Sequence, residues 1–144
     1  MDEAMIEDLN SLIQLDTDAV YCYGEAINRI DDRDVASTLE TFRGDHVRHI
    51  DELSTLVRTY GGEPPERTPD LRGRLLQGIT ALRSATGTEG ALKAMEMNEK
   101  KTNEEYEQAQ DWAVPADVRA VLARGLDDER RHLEYVQSEL HALA

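Results

Sequence analysis

Apolar residues recur along this chain at alternating steps of three and four, the spacing of a helix whose inner face packs in a bundle. Such steps cover residues 6–30, 35–57, 92–109 and 118–140. A shorter apolar stripe lies within residues 69–85. Because a half-buried strand would alternate with a period of two, which is not seen here, the pattern predicts an all-α protein with four long helices and one short helix.

Turn-forming residues separate these stretches. Residues 31–34 read Asp-Asp-Arg-Asp, and we expect Asp34 to cap the second helix. Residues 61–65, Gly-Gly-Glu-Pro-Pro, end that helix. We expect the short helix to begin at Pro69, and the glycine-containing segment 86–90 to break the chain before the next long helix.

The two pairs of long helices look like copies of one another. An ungapped offset of 83 residues brings like residues together, and a repeat of this kind fixes the architecture. The sequence therefore predicts one domain over residues 1–144, with a helical hairpin at 5–60, a crossover containing a helix at 61–90 and a second hairpin at 91–142. The matched pairs are Leu9/Leu92, Asp16/Glu99, Tyr23/Tyr106, Ala26/Ala109, Asp34/Asp117, Val35/Val118, Leu39/Leu122, Asp45/Asp128, His46/Glu129 and His49/His132.

Composition excludes several classes of function. The net charge is −14, with 16 Lys and Arg against 30 Asp and Glu, so a nucleic acid partner is not expected. A lone Cys22 cannot form an internal disulfide, and no apolar run is long enough to cross a membrane. Because the acidic N-terminus does not resemble a secretory signal, we expect a cytoplasmic protein.

Ionisable residues interrupt the apolar face of every long helix. The second helix carries a His-x-x-His pair and the last helix a Glu-x-x-His pair, and residues three apart share one helix face. The first and fourth helices carry one carboxylate each, 30 residues before the facing pair, which predicts a common level in the bundle. Buried charges need compensation, which one or two divalent cations would supply. The predicted ligands are Asp16, His46, His49, Glu99, Glu129 and His132.

Other readings of single residues stay open. Any one buried histidine could instead be a core residue hydrogen-bonded to a neighbour. If the helix phase differs by one step, Asp18 and Glu96 would replace Asp16 and Glu99 as ligands.

Further residues near this level have candidate supporting roles. Tyr23 and Tyr106 follow the carboxylates by seven residues, roughly 10 Å along the helix axis, and either fill the core or relay an electron. Gly125 would leave room for the rings. Glu52 and Asp128 are candidates for orienting the imidazoles, since metal-bound histidines usually need such a partner.

The arrangement resembles the ferritin-like di-metal carboxylate fold, in which two helices give one carboxylate each and two give a Glu-x-x-His pair. More narrowly, the chain is similar to a family of small bacterial ferritin-like domains of unknown function. The segments that carry this resemblance are LNSLIQLDTDAVYCYGEAI, FRGDHVRHIDEL, GGEPPE and ALKAMEMNEKKTNEEY. It implies a ferritin-like four-helix bundle of two repeated hairpins, with an extra short helix in the crossover.

The resemblance also implies a chemistry. It implies that the chain binds one or two divalent transition-metal ions, with iron as the expected metal and manganese or zinc as alternatives. It also implies Fe(II) oxidation or reaction with O2 or peroxide. His46 departs from this resemblance, because it stands where the ferritin pattern has a bridging Glu. A mononuclear ion, or a mixed or weakly held pair, is then an alternative to an iron pair. A non-catalytic metal-binding or sensing module and a structural helical interaction protein without metal remain alternatives.

A monomer or homodimer is expected rather than a cage.

Overall fold

The computed structural model describes residues 2–144, so Met1 of the predicted domain lies outside it. Within this range there are five α-helices and no strand, which confirms the all-α prediction. The helices are α1 (Asp2–Ile27), α2 (Arg33–Thr59), α3 (Leu76–Ser84), α4 (Gly87–Ala109) and α5 (Ala116–Leu143). None of the helices between residues 2 and 144 combines the length and apolarity that a membrane span requires.

The four long helices form a bundle of two hairpins. Helix α1 packs along α2, and α4 packs along α5, while α1 also contacts α4 and α2 also contacts α5. Tyr23 of α1 contacts Glu99 of α4, and Asp16 contacts Tyr106, so residue numbers rise along α1 as they fall along α4. The two hairpins are therefore related by an approximate twofold axis perpendicular to the bundle.

Most of the predicted inward positions are buried, whereas Val20, Ile27, Ile30, Leu71 and Leu140 are partly buried at the edge of the core. Leu9, Leu39, Leu92 and Leu122, one from each long helix and related by the repeat, have no exposed surface. Burying a leucine side chain contributes about 1.5–3 kcal/mol to stability. The apolar layers at both ends of the bundle thus hold the helices in register around the polar level between them.

The cap of α2 differs from the prediction. Asp32 is the N-cap, with extended backbone angles (φ −73°, ψ 114°), and Asp34 lies within the first helical turn. The Asp32 Oδ1 atom accepts hydrogen bonds from the backbone N–H of Asp34 (2.9 Å) and Val35 (3.2 Å). The assignment of the cap to Asp34 was wrong because two acidic residues compete for the position and only the backbone of Asp32 is extended.

Two helix starts also differ from the prediction. Helix α3 begins at Leu76 rather than at Pro69, because the residues between them form turns, in which the Gly73 N–H donates to the Asp70 carbonyl. Helix α4 already includes residues 87–90, which were expected to break the chain. Gly87 has φ +76°, a conformation that glycine adopts without steric cost, so the turn is made at one residue.

The crossover runs along the whole length of α1. It starts beside the first turns of α1, where Asn10 donates to the Glu63 carbonyl (3.1 Å). Midway, the Asp18 carboxylate accepts from the Asp70 N–H (2.7 Å). It ends past the last turn of α1, where Thr88 Oγ1 accepts from the Asp31 N–H (3.1 Å). This path places the start of α4 beside the end of α1.

The cap assignment has a direct test. Asp32→Ala removes the acceptor for two backbone N–H groups, and we expect it to lower the free energy of unfolding by about 1 kcal/mol. Asp34→Ala is the matched control and should cost less, since it removes only a favourable charge near the helix N-terminus. Urea denaturation of both variants checks this. An equal or larger loss in Asp34→Ala would contradict the assignment.

Candidate metal centre

The six predicted ligands lie together in the bundle core, each at most 3% exposed. They form two overlapping groups of four, in each of which the potential ligand atoms lie within 4.8 Å of one another. The first group is Asp16, His46, His49 and Glu129, and the second is His46, Glu99, Glu129 and His132. His46 and Glu129, the residues related by the repeat, belong to both groups.

Helix geometry accounts for this convergence. His46 and His49 lie three residues apart on α2, and Glu129 and His132 do so on α5, so each pair projects from one face. Asp16 on α1 and Glu99 on α4 occupy buried positions at the same level. Each long helix thus supplies one or two ligand candidates, as the sequence indicated.

The Asp16 carboxylate is fully engaged by neighbours. Its Oδ1 atom lies 2.7 Å from His46 Nδ1 and 3.0 Å from His49 Nδ1. Its Oδ2 atom accepts a hydrogen bond from the Tyr106 hydroxyl (2.6 Å). Within the first group, Asp16 is therefore hydrogen-bonded to both histidines, and Glu129 is the member whose carboxylate has no hydrogen bond to the described residues.

The contacts within the second group are longer. His46 Nε2 lies 3.4 Å from Glu129 Oε1 and 3.7 Å from Glu99 Oε1. His132 Nδ1 lies 3.6 Å from Glu99 Oε1 and 3.8 Å from Glu129 Oε1. These separations exceed hydrogen-bond distances. Glu99 is held from outside the group by the hydroxyls of Tyr23 and Thr102.

Four buried atoms of this group have no hydrogen-bond partner within the described residues. They are His46 Nε2, both carboxylate oxygens of Glu129 and His132 Nδ1. Leaving one buried polar atom unpaired costs about 1–3 kcal/mol, and more when the group is charged. Glu129 Oε1 lies 3.4 Å from His46 Nε2 and 3.8 Å from His132 Nδ1, so a cation between these three atoms would satisfy them together.

Outer carboxylates hold the far sides of two histidines. Asp128 Oδ2 lies 2.8 Å from His49 Nε2, and Asp45 Oδ2 lies 2.8 Å from His132 Nε2. Asp128 was a predicted partner, whereas Asp45 was missed. The repeat held the signal, because Asp45 is the counterpart of Asp128. Such carboxylate–imidazole contacts fix the ring orientation that a metal ligand requires.

Two arginines cover these carboxylates at the surface. Arg131 contacts Asp45 Oδ2 (3.1 Å) and Asp128 Oδ1 (2.8 Å). Arg48, its counterpart in the repeat, contacts the same two carboxylates. This four-residue cluster separates the centre from solvent between α2 and α5.

The two tyrosines contact the carboxylates of the opposite repeat. Tyr23 donates to Glu99 and Tyr106 donates to Asp16. The sequence had placed each ring about 10 Å from the carboxylate on its own helix. Because α1 and α4 are antiparallel, the same spacing brings each ring level with the other carboxylate.

The second-choice residues lie elsewhere. Asp18 is buried, but its carboxylate accepts hydrogen bonds from the Asp70 N–H of the crossover and from the Gln14 side chain on α1. Glu96 is half-buried and belongs to neither group of ligand candidates. Glu52 pairs with Arg124 at the surface (3.3 Å).

Packing around the centre differs between the repeats. A Cβ atom on Gly125 would lie 2.4 Å from Tyr106 Cε1, so only glycine leaves room for this ring. The repeat counterpart of Gly125 is Phe42, whose ring stacks on His132 at 4.2 Å between centroids. The expectation that Gly125 accommodates a tyrosine ring is therefore confirmed for Tyr106.

Burial and charge set the protonation of the first group. Burial alone would raise the pKa of Asp16, but the imidazoles of His49 and His46 lower it to about 2. Burial alone would lower the pKa of His49, but Asp16 and Asp128 raise it to about 9. Asp16 and His49 therefore form a buried ion pair at neutral pH.

The second group holds a carboxyl that titrates near neutrality. Burial raises the pKa of Glu129 to about 7, opposed by the attraction of His46 and reinforced by repulsion from Glu99. Burial alone would lower the pKa of His46, but Glu129 and Asp16 raise it well above its usual value. Without a cation, protons supply the positive charge that this group needs.

Comparison with known proteins places the chain in a family. Residues 4–112 match the family described as Domain of unknown function (DUF2383). The chain belongs to this family. The match covers α1 to α4 and includes Asp16, His46, His49 and Glu99, and it ends before α5, which carries Glu129 and His132.

The chain also resembles a bacterial protein along most of its length. "Uncharacterized protein YhjR" of Bacillus subtilis (strain 168) is 25% identical over 133 residues, which cover 91% of this chain and 83% of that protein. The similarity therefore extends over both hairpins.

The close approach of Gly125 and Tyr106 predicts a sensitive position. We expect Gly125→Ala to lower the free energy of unfolding by about 1–3 kcal/mol, because the added methyl displaces a ring fixed by Asp16. Gly44→Ala is the matched control, since no atom lies within 4 Å of its added Cβ, and should be neutral or stabilise by up to about 1 kcal/mol. Urea denaturation of metal-free protein measures both, and equal effects would contradict the packing argument.

The raised pKa values predict how stability depends on pH. Between about pH 4.5 and 9 the metal-free folded chain binds more protons than the unfolded chain, at Glu129 and His49, so its stability should fall as pH rises. Asp16, with a pKa of about 2, contributes constant stability in this window. A divalent cation replaces the protons, so the increase in Tm on adding metal should be larger near pH 9 than near pH 5. Thermal unfolding with chelator and with metal measures this, and a pH-independent increase would be the contrary result.

Proposed function

We propose that this chain is a ferritin-like metalloprotein that holds one or two divalent transition-metal ions in the bundle core, iron first, with manganese or zinc as alternatives. One observation carries the proposal: His46 Nε2, Glu129 Oε1 and His132 Nδ1 are buried and have no hydrogen-bond partner within residues 2–144, and the Glu129 oxygen lies within 3.8 Å of both nitrogens. Three imidazoles and three carboxylates suit first-row divalent metals.

The arrangement of the donors supports a ferritin-like assignment. Single carboxylates come from α1 and α4, and pairs of donors three residues apart come from α2 and α5. This is the disposition found in carboxylate-bridged di-metal bundles. A polar layer that only set the helix register would be expected to pair all of its buried groups.

We propose Fe(II) oxidation, with O2 or peroxide as the oxidant, as the reaction. Bound iron would supply the redox step. The chain would hold the donors in place through the hydroxyls of Tyr23 and Tyr106. It would also exclude bulk water from ligand candidates that are each at most 3% exposed. Glu129, with a pKa of about 7 in the metal-free chain, would release its proton when it binds the ion.

A non-catalytic metal-binding or sensing role is the second candidate. It is favoured by His46, which replaces one of the carboxylates of the di-metal pattern and so reduces the negative charge that stabilises a ferric pair. The chain would then hold an ion without turnover.

The same proposal covers the organisation of the protein. We infer one domain over residues 1–144, acting in the cytoplasm as a monomer or homodimer rather than as a cage. Gel filtration with light scattering measures the assembly directly.

Loading with iron tests the function. Metal-free protein given Fe(II) without oxygen and then exposed to air should develop a ferric charge-transfer band, with repeated turnover as more Fe(II) is added. We expect Glu129→Gln to lower metal affinity at least about tenfold, since even partners of metal ligands contribute that much. Its metal-free form should be no less stable than wild type near pH 9, because a buried charge is removed.

Glu96→Gln is the matched control, because Glu96 lies on α4 outside both ligand groups. It should bind and oxidise iron as the wild type does. Bound iron without a band would favour the sensing role. Failure of the wild type to retain any transition metal after gel filtration would contradict metal binding altogether.

A further inference from the structure

Resting on the proposed metal binding, we propose that the core holds one ion rather than two, between His46, Glu99, Glu129 and His132, and that Asp16 and His49 are not ligands. The two halves of the centre are related by the repeat but are not equivalent in their contacts. Three differences carry the inference.

The first difference is the spacing of the potential ligand atoms. In the second group, four contacts between imidazole nitrogens and carboxylate oxygens span 3.4 to 3.8 Å. Ligands about 2.1 Å from one ion in a tetrahedral arrangement are about 3.4 Å apart. In the first group, Asp16 Oδ1 lies 2.7 and 3.0 Å from the histidine nitrogens, which are hydrogen-bond distances. Of the contacts that belong to the first group alone, only that between His49 Nδ1 and Glu129 Oε1, at 3.7 Å, has the wider spacing.

The second difference lies in two histidines that the repeat makes counterparts. His132 contacts Asp45 through Nε2 and leaves Nδ1 without a partner, facing the core. His49 contacts Asp128 through Nε2 and Asp16 through Nδ1. A histidine binds a metal through a nitrogen lone pair. His132 Nδ1 lies 3.6 Å or more from the nearest carboxylate oxygens and is free for this, whereas both nitrogens of His49 lie within hydrogen-bond distance of a carboxylate.

The third difference concerns Asp16, which contacts a histidine as an outer carboxylate does rather than as a metal ligand. Metal-bound histidines usually present their other ring nitrogen to a carboxylate. Asp45 serves His132 in this way, and Asp16 stands in the same relation to His46, 2.7 Å from Nδ1 with Nε2 facing the second group. Asp16 is therefore a positioning residue, which orients His46 and is itself held by Tyr106.

The exchange of Glu for His between the repeats explains the asymmetry. A carboxylate has two oxygens and can bridge two ions, whereas the one nitrogen of His46 that faces the second group serves one ion. Glu99 and Glu129 together carry the two negative charges that neutralise one divalent cation. A second ion in the first group would have to displace the contacts that already satisfy Asp16 and His49.

Titration of the metal-free protein with Co(II) measures the number of bound ions per chain. It also reports the number of ligands, because Co(II) absorbs more strongly in four-coordinate than in six-coordinate sites. After gel filtration to remove loosely held ions, we expect one Co(II) per wild-type chain with strong visible bands. Two tightly held ions per chain would overturn the inference and leave the proposed metal binding intact. Retention of no ion would defeat the proposed metal binding itself.

The paired histidines supply matched variants. His49→Gln should keep one ion, the wild-type bands and an affinity within about tenfold, whereas His132→Gln should lose more than about 100-fold in affinity. Equal losses in the two variants would overturn the inference. Circular dichroism of the metal-free variants checks folding, and the wild-type count decides the question if His132→Gln does not fold.

Asp16→Asn tests the positioning role separately. It should keep one ion and bands of unchanged shape, with affinity lower by about tenfold to 100-fold, because the ligand set is retained while His46 is less firmly oriented. Altered bands would make Asp16 a ligand and contradict its role. Unchanged affinity would also contradict it.

Discussion

Six ionisable side chains occupy one level of an otherwise apolar core, and the rest of the structure has to compensate for their burial. Removing an isolated charge from water costs several kcal/mol even after the protein relaxes, so each group needs a partner. Most of the demand is met by hydrogen bonds and ion pairs between helices. What remains is concentrated on His46, Glu129 and His132, where one unpaired oxygen of Glu129 lies within 3.8 Å of an unpaired nitrogen of each histidine. A cation there completes the compensation.

The antiparallel arrangement of the two repeats provides partners for these buried groups, because side chains of each repeat contact those of the other. A single hairpin would leave its own carboxylate and histidines without these contacts. The two hairpins therefore depend on each other for the stability of the polar level as well as of the apolar layers. The crossed pairs are Tyr106 with Asp16, Tyr23 with Glu99, Asp128 with His49, and Asp45 with His132.

Helical periodicity and the internal repeat were enough to predict much of the fold and of the candidate site. The positions of the long helices, the hairpins and the burial of all six ligand candidates follow from residues spaced three and four apart on helix faces. The offset of 83 residues related the two halves and, applied to Asp128, would have identified Asp45, which was not predicted as a partner. Local signals were weaker at the ends of helices, where Asp32 and Asp34 compete to cap α2 and prolines alone did not locate the start of α3.

The sequence by itself determined which side chains face the core and at what level, because these depend only on position along a helix. The tertiary structure alone decided which of them meet. The pairing of Tyr106 with Asp16 requires α1 and α4 to run in opposite directions, and the free nitrogen of His132 depends on contacts from another helix. Such contacts join residues up to 90 positions apart, and no local pattern specifies the ring nitrogen or carboxylate oxygen involved.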